Sequence, residues 1–418
     1  VAEDTYFDEL ETREPALRER ALFRALAEQI QNAQKNAPAL AELLADVDAL
    51  SIVDRASLTK LPIIRKSELI ERQKRSFADR DPFGGLTAVP TGQLGRIFAS
   101  PGPIYDPEML RPDYWRLARA LYAAGFRHGD IIHNCFSYHL TPAGAMLESG
   151  AHALGCPVIP AGTGNTEQQV RVIADVKPKG YVGTPSFLKI ILDKAREMGV
   201  ELASLKRALV SGEALTPALR AEFATHGIDV YQCYATADLG LIAYESRPGE
   251  GLIVDEWVIV EIVRPGTGDP VPDGEVGEVV VTTLNPDYPL IRFATGDLSA
   301  VIPGTSECGR TNMRLKGWMG RADQTTKVRG MFVHPHQVAE IVRRHGQIAK
   351  ARLVVDRDQS NDVMILRCEV TGEPPADFAS MVAETIQAVT KLRGTVEIVP
   401  PGTLPNDGKV IDDVREYD

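Results

Sequence analysis

Between Ile131 and Ser211 short apolar runs alternate with stretches of helical spacing. The runs are Ile131-Ile132, Pro157-Val158-Ile159-Pro160, Tyr181-Val182-Gly183 and Ala208-Leu209-Val210. Strands separated by helices return to the same sheet by crossovers, so this alternation predicts βαβ units and a mostly parallel sheet. A chain of 418 residues is long enough to bury such a sheet and leaves room for two to four domains.

The flanking segments read differently. From about Glu14 to Leu44, Ala and Leu recur at helical spacing with charges between them. Leu61-Pro62-Ile63-Ile64-Arg65-Lys66-Ser67-Glu68-Leu69 is a Pro-punctuated link into another helix. From Trp257 to Thr283, Val, Ile and Glu alternate around Pro265-Gly266 and Asp273-Gly274, which predicts antiparallel strands in a small barrel-like subdomain. After Gly320 the order changes again. A strand near Gln324–Arg329, a helix from about Gln337, strands at Ala351–Val355 and Val363–Val370, and a helix at Pro375–Leu392 predict a compact α+β unit. The expectation is an α/β protein with a large N-terminal region, residues 1–320, of mostly parallel sheet plus the barrel-like part. A small mobile α+β domain, residues 321–418, follows a break at Gly317–Asp323.

Composition narrows the function classes. There are 46 Lys+Arg against 57 Asp+Glu, a net charge of −11, and no long basic run, which argues against nucleic acid as a main partner. Cys135, Cys156, Cys233, Cys308 and Cys368 are scattered without CxxC spacing, as expected of a reducing compartment. No apolar run reaches membrane-spanning length, and the acidic start Val1-Ala2-Glu3-Asp4 does not read as a signal peptide, so no membrane partner and a cytoplasmic location are expected. The histidines form no ligand-spaced set.

Several motifs then occur in order: Pro160-Ala161-Gly162-Thr163-Gly164-Asn165-Thr166-Glu167-Gln168-Gln169-Val170, Gly183-Thr184-Pro185-Ser186, Ser211-Gly212-Glu213-Ala214-Leu215 and Tyr234-Ala235-Thr236-Ala237-Asp238. Ala294-Thr295-Gly296-Asp297, Gly320-Arg321-Ala322-Asp323 and Asn406-Asp407-Gly408-Lys409 follow. Each is weak alone. Together, from about Leu61 to Lys409, they resemble the phenylacetate–CoA ligase family of adenylate-forming acyl/aryl-CoA synthetases. The resemblance implies ATP/AMP, Mg2+ and coenzyme A as cofactors and cosubstrates, a small carboxylic acid as partner, and a homodimer.

The resemblance also assigns roles. Ser211, Gly212, Glu213, Tyr234, Ala235 and Thr236 would line the nucleotide, with Tyr234 offering an aromatic face to adenine. Asp238 would hold Mg2+, a hard cation that takes carboxylate oxygen. It stands where the family has Glu, one methylene longer. Asp297 would accept the ribose hydroxyls in charge-assisted hydrogen bonds, and Arg321 would reach the nucleotide. Asp323 resembles the hinge, and Gly330 the place where the backbone lets pantetheine pass. Lys409 would stabilise charge in the adenylation step. Phe136 and Tyr138, with Ala235, resemble the acid pocket.

Two departures stand out. The family phosphate loop reads roughly Ser-Ser-Gly-Thr-Thr-Gly-Lys-Pro, whereas this chain has Phe98-Ala99-Ser100-Pro101-Gly102-Pro103-Ile104-Tyr105-Asp106-Pro107. Prolines remove N–H donors, no lysine is present, and Asp106 would repel phosphate. The four zinc-ligand positions of some relatives correspond to Ser246, Leu252, Ser306 and Cys308, and one thiolate cannot make a tetrahedral zinc site, so no zinc is expected. The sequence therefore supports an ATP-dependent carboxylate–CoA ligase for an aryl or arylacetic acid. The alternative is a nucleotide- or acyl-CoA-binding homologue that has lost adenylation.

Overall fold

In the computed structural model, residues 5–100, 103–322, 324–329, 331–358 and 361–415 are described. The chain divides into two units. One comprises Val1–Val260, Val281–Phe293 and Ile302–Trp318; the other comprises Glu261–Val280, Ala294–Val301 and Met319–Asp418.

The first unit opens on the expected N-terminal helix, which is two helices, Pro15–Asn36 and Pro38–Leu43. Glu14 caps the first by accepting hydrogen bonds from the Ala16 and Leu17 N–H groups. Pro38 ends it, because the residue before a proline is pushed out of the helical region, and Ala37 lies at φ −112°, ψ 102°. Leu22, Leu26, Ile30 and Ala33 make its buried stripe. Buried charges nearby are paired, as burial requires: Arg18 Nε donates to Glu256 Oε2 at 2.9 Å, and Glu11 takes Arg119 at 3.1 Å and Arg310 at 2.9 Å.

The predicted βαβ region forms the parallel part of a nine-stranded sheet. Its order is Val301–Ile302, Arg314–Leu315, Leu252–Val254, Gly240–Tyr244, Asp229–Thr236, Arg207–Val210, Gly180–Gly183, Ile132–Asn134, Val158–Pro160. The five strands from Asp229–Thr236 to Val158–Pro160 pair in parallel. Gly240–Tyr244 then reverses direction against Asp229–Thr236. Successive strand residues point to opposite faces. Accordingly Val182 and Leu209 enter one core cluster, and Tyr181, Ala208 and Val210 the other.

The barrel-like expectation is corrected. Val258–Val263, Gly277–Thr283 and Phe293–Ser299 stand in an open four-stranded sheet with Ile64–Arg65, in the order Ile64–Arg65, Phe293–Ser299, Gly277–Thr283, Val258–Val263. Alternating pattern and turn residues define strands and hairpins but not closure, which needs the first strand to meet the last.

The second unit contains the predicted α+β set. Ile348–Asp358 and Asn361–Val370 pair as a long antiparallel hairpin. Two short edge strands that the sequence pattern did not reveal join in parallel: Ile411–Asp413 beside Leu353–Val355, and Thr395–Val399 beside Ile365–Glu369. Helices Pro335–Arg344 and Phe378–Thr390 contribute Val338, Ile341, Phe378, Val382 and Ile386 to the core beneath that sheet. The strand expected at Gln324–Arg329 is Thr326–Val328, paired antiparallel with Met331–Val333.

Candidate functional site

The carboxyl edge of a parallel sheet gathers loops, and ligands usually bind there. Asn134, last residue of its strand, organises that edge. Its carbonyl accepts the N–H groups of Ala161 and Gly162, each at 3.0 Å. Its amide donates to the Tyr138 hydroxyl at 2.8 Å and the Gly144 carbonyl at 2.9 Å. Tyr138 in turn donates to Glu148 at 2.8 Å, and burial together with the Glu148 charge holds its hydroxyl well above the usual phenol range. A Cβ at Gly144 would lie 2.8 Å from the Ser137 carbonyl oxygen, so only glycine fits. Gln169 fastens the glycine-rich loop by donating to the carbonyls of Gly162 and Gly164 at 3.0 and 2.7 Å. Of the expected acid-pocket residues, Tyr138 is half-buried, whereas Phe136 is buried and belongs to the core cluster that also holds Met146 and Trp115.

The two motifs at the next strand ends are neighbours. Thr184 caps the helix Pro185–Glu197 through the Phe187 N–H, and the Ser186 N–H donates to Glu213 Oε2 at 3.3 Å. Ser211 Oγ donates to the Cys233 carbonyl at 2.8 Å, and Gly212 holds φ +81°. Tyr234, Ala235 and Thr236 close their strand half-buried, with a register shift between Tyr234 and Ala235. The chain then turns back as a strand.

That turn buries Asp238 to 2% exposure, and Lys66 Nζ reaches its Oδ2 at 2.5 Å. Lys66 lies in the Pro-punctuated link and was not singled out by sequence pattern. The helix that follows it also holds the irregular phosphate segment: Gln73 donates to the Tyr105 carbonyl and accepts its N–H, both at 2.9 Å. The segment is a two-stranded hairpin, Arg96–Ser100 against Ile104–Glu108, and Pro101 and Gly102 lie outside the described residues. Asp106 is fully buried, with Ser100 Oγ donating to its Oδ2 at 2.9 Å. Burial, and then the charge of Asp238, hold its carboxyl well above the ordinary range.

In the second unit, Asp297 and Arg321 are brought together. They form a backbone bridge, and Arg321 donates to Asp297 Oδ1 at 2.8 Å. Thr295 Oγ1 positions the aspartate by accepting its N–H at 3.1 Å while donating to the Val279 carbonyl at 3.1 Å. Gly296 sits at φ +76°, and a Cβ there would lie 2.8 Å from the Arg321 guanidinium. Lys409 pairs with Asp412 at 2.8 Å and keeps 51% of its side chain exposed. Its loop is seated by Asn406, which accepts the Val276 N–H at 3.0 Å and donates to the Gly274 carbonyl at 3.1 Å. Gln324 adds a bond to the Gly408 carbonyl at 2.9 Å. Arg321 and Lys409 line one cavity of about 360 Å³ with Leu298 and Met319. The expected hinge residue Asp323 and the expected pantetheine glycine Gly330 lie outside the described residues.

Three of the four zinc-like positions converge. Ser246 Oγ and Ser306 Oγ lie 3.3 and 3.0 Å from Cys308 Sγ. Burial raises the Cys308 thiol, but those hydroxyls and Arg310 outweigh it and hold the thiol below its ordinary value. Leu252 belongs to a buried strand.

Residues 115–285 match the family model described as AMP-binding enzyme. The phenylacetate-coenzyme A ligase of Aromatoleum evansii is 33% identical over 76% of this chain and 73% of its own. That of Thermus thermophilus is 33% identical over 86% and 87%, and that of Escherichia coli 32% over 80% and 82%. Among solved structures, 2-hydroxyisobutyryl-CoA ligase in its postadenylation state has a TM-score of 0.73 at 23% identity, covering 99% of this chain and 93% of that one. The same enzyme with 2-HIB-AMP and CoA in its thioesterification state has a TM-score of 0.71 at 24% identity, covering 100% and 94%. The fold is thus that of adenylate-forming ligases. On sequence similarity across most of both chains, this chain belongs to the phenylacetate–coenzyme A ligase family.

Proposed function

We propose that the protein is an ATP-dependent carboxylate–CoA ligase acting on an aryl or arylacetic acid through an acyl-adenylate. The observation that supports this most is the second-unit set: Asp297 bridged to Arg321, and Arg321 and Lys409 lining one cavity. In this reading the substrate carboxylate, ionised at neutral pH, attacks the α-phosphorus and pyrophosphate leaves. No general base is needed. Asp297 accepts the ribose hydroxyls, and Tyr234 presents its ring to adenine. Ser211, Gly212, Glu213, Ala235 and Thr236 border the nucleotide, Tyr138 and Phe136 border the acid, and Arg321 and Lys409 stabilise phosphate charge. The CoA thiol then displaces AMP.

Mg2+ belongs to the same proposal. Asp238 fits it, because Oδ1 is buried without a hydrogen-bond partner among the described residues. When bound, the ion supplies neutralising charge to the phosphates. Residues 321–418 act as a lid with Asp323 as hinge. A homodimer in the cytoplasm, without nucleic-acid partners, completes the reading. The net charge of −11 supports the part of this reading that excludes nucleic acid.

The test is ATP–pyrophosphate exchange with a panel of aryl acids, followed by thioester formation with CoA. Exchange and thioester with at least one arylacetic or benzoic acid is the expected result. Binding of AMP without exchange for any acid would replace the proposal with the nucleotide-binding alternative.

A further inference from the structure

The hairpin at Arg96–Glu108 has the wrong charge for a phosphate loop, yet it is folded around that charge. Asp106 has no exposure, and its Oδ2 is committed to Ser100. Its Oδ1 is buried and unpartnered among the described residues. Asp238 repeats the arrangement, with Oδ2 committed to Lys66 and Oδ1 buried and unpartnered. A third buried orphan is the hydroxyl of Tyr288, which is fully buried and feels the charges of both aspartates. The two carboxylates are tied to one short segment, since Lys66 holds Asp238 while Gln73 brackets Tyr105, the residue before Asp106.

Buried polar atoms are normally satisfied, and each exception calls for a partner. Two buried, unpartnered carboxylate oxygens, on aspartates whose charges reach each other and the same buried phenol, ask for a cation. Lys66 supplies one positive charge to two aspartates, which leaves room for more. A hard divalent ion takes carboxylate oxygens and keeps several waters, and a phenol can hold one of those waters. Such an ion would also turn an acidic hairpin into one that attracts a triphosphate.

We propose that Asp106 and Asp238 together ligate a divalent cation through their Oδ1 atoms, so that the hairpin binds phosphate through a metal rather than through a lysine. The proposal rests on the assignment of Asp238 above and adds Asp106 as a second ligand and Tyr288 as a positioning residue for a metal-bound water.

The experiment is Mn2+ titration of the full chain, followed by electron paramagnetic resonance of the free ion, without nucleotide. The wild type should bind about one Mn2+ per chain, and Asp106→Asn should weaken binding roughly tenfold or more. Equal Mn2+ affinity in Asp106→Asn, or no binding by the wild type, overturns the site. A proton shared between the two carboxylates would give the second result. Should Asp106→Asn fail to fold, wild-type protein loaded with Fe2+ and treated with ascorbate and peroxide decides. Cleavage near both residue 106 and residue 238 supports the pair, and cleavage near 238 alone overturns it. Pyrophosphate exchange separates the two readings. Exchange with unaltered Mn2+ binding in Asp106→Asn removes the metal pair and keeps the ligase. Mn2+ held by both aspartates without exchange removes the ligase and keeps the metal pair.

Discussion

Replacing Asp297 with alanine tests the nucleotide assignment without involving any metal, because AMP needs none. The carboxylate is nearly buried, its side chain 12% exposed, and its backbone is held by Thr295. In the proposed complex it accepts two ribose hydroxyls. A hydrogen bond to a charged group contributes about 1.5–3 kcal/mol. Against this stands the existing pair with Arg321, whose side chain is 54% exposed. A pair that exposed contributes about 1 kcal/mol or less. Two such bonds less that pair give a net loss for Asp297→Ala of about 2–5 kcal/mol, or roughly 30- to 5000-fold in Kd for AMP. Isothermal titration calorimetry measures it directly. Arg321→Ala and the double variant complete a cycle, and the coupling between the two residues should stay near the small value of an exposed pair. Unchanged AMP affinity in Asp297→Ala would refute the reasoning and reduce Asp297 to a turn residue with an ion pair.

Lys409→Ala should abolish acyl-adenylate formation but leave thioester formation from supplied acyl-adenylate intact, because one ammonium serves only the step in which pyrophosphate leaves; equal loss of both half-reactions, measured by product release, would contradict this. Gly408→Ala should loosen the loop that carries Lys409, since φ is +72° and a Cβ would lie 2.7 Å from Val276 and 3.1 Å from Leu298. The cost is about 2–4 kcal/mol, and hydrogen exchange at residues 405–410 should quicken; wild-type protection would show that the loop accommodates the methyl. Cys308 should alkylate ahead of the other four cysteines, whose thiols burial pushes up, to about 11 for Cys156 and about 12 for Cys233 and Cys368. Thiolate is the reactive form. The Cys308 rate should therefore rise with pH and level off below the value of a free thiol, and Ser306→Ala should move that plateau upward; mass spectrometry after iodoacetamide reads both.

The parallel sheet was legible because four of its strands, Ile132–Asn134, Val158–Pro160, Gly180–Gly183 and Arg207–Val210, fall on short apolar runs separated by helical stretches, whereas the fifth, Asp229–Thr236, is largely polar and mostly half-buried. The long hairpin of the second unit was legible because the length of its two strands exposes the pattern. The strands at Thr395–Val399 and Ile411–Asp413 were not, because short edge strands carry little pattern and depend on the strand beside them. The sequence pattern of the open sheet reads as barrel-like because closure is a property of strand order rather than of strand composition. Asp297 and Arg321 were legible through local motifs. Lys66 was not, since its partner Asp238 lies 172 residues away and nothing local distinguishes one lysine in a charged link. A buried acidic side chain at Asp238 would have signalled the need for a cation, but burial of a single turn residue is invisible in one sequence. In sequence alone Asp106 is only a charge that repels phosphate. Its complete burial against Ser100 changes what that charge is for.

The seating of Lys409 has a consequence for how this chain can be cut. The loop that carries it is held by Gly274 and Val276, and the unit to which it belongs is assembled from three separate stretches of chain. A fragment that begins at Met319 would contain every residue of the long hairpin and both of its helices, but not the backbone groups on which Asn406 rests. Such a piece should fold as a sheet with an unanchored tip. The lysine would be present in its sequence and absent from its working position, so exchanging this region between relatives would require carrying residues 261–280 and 294–301 along with it.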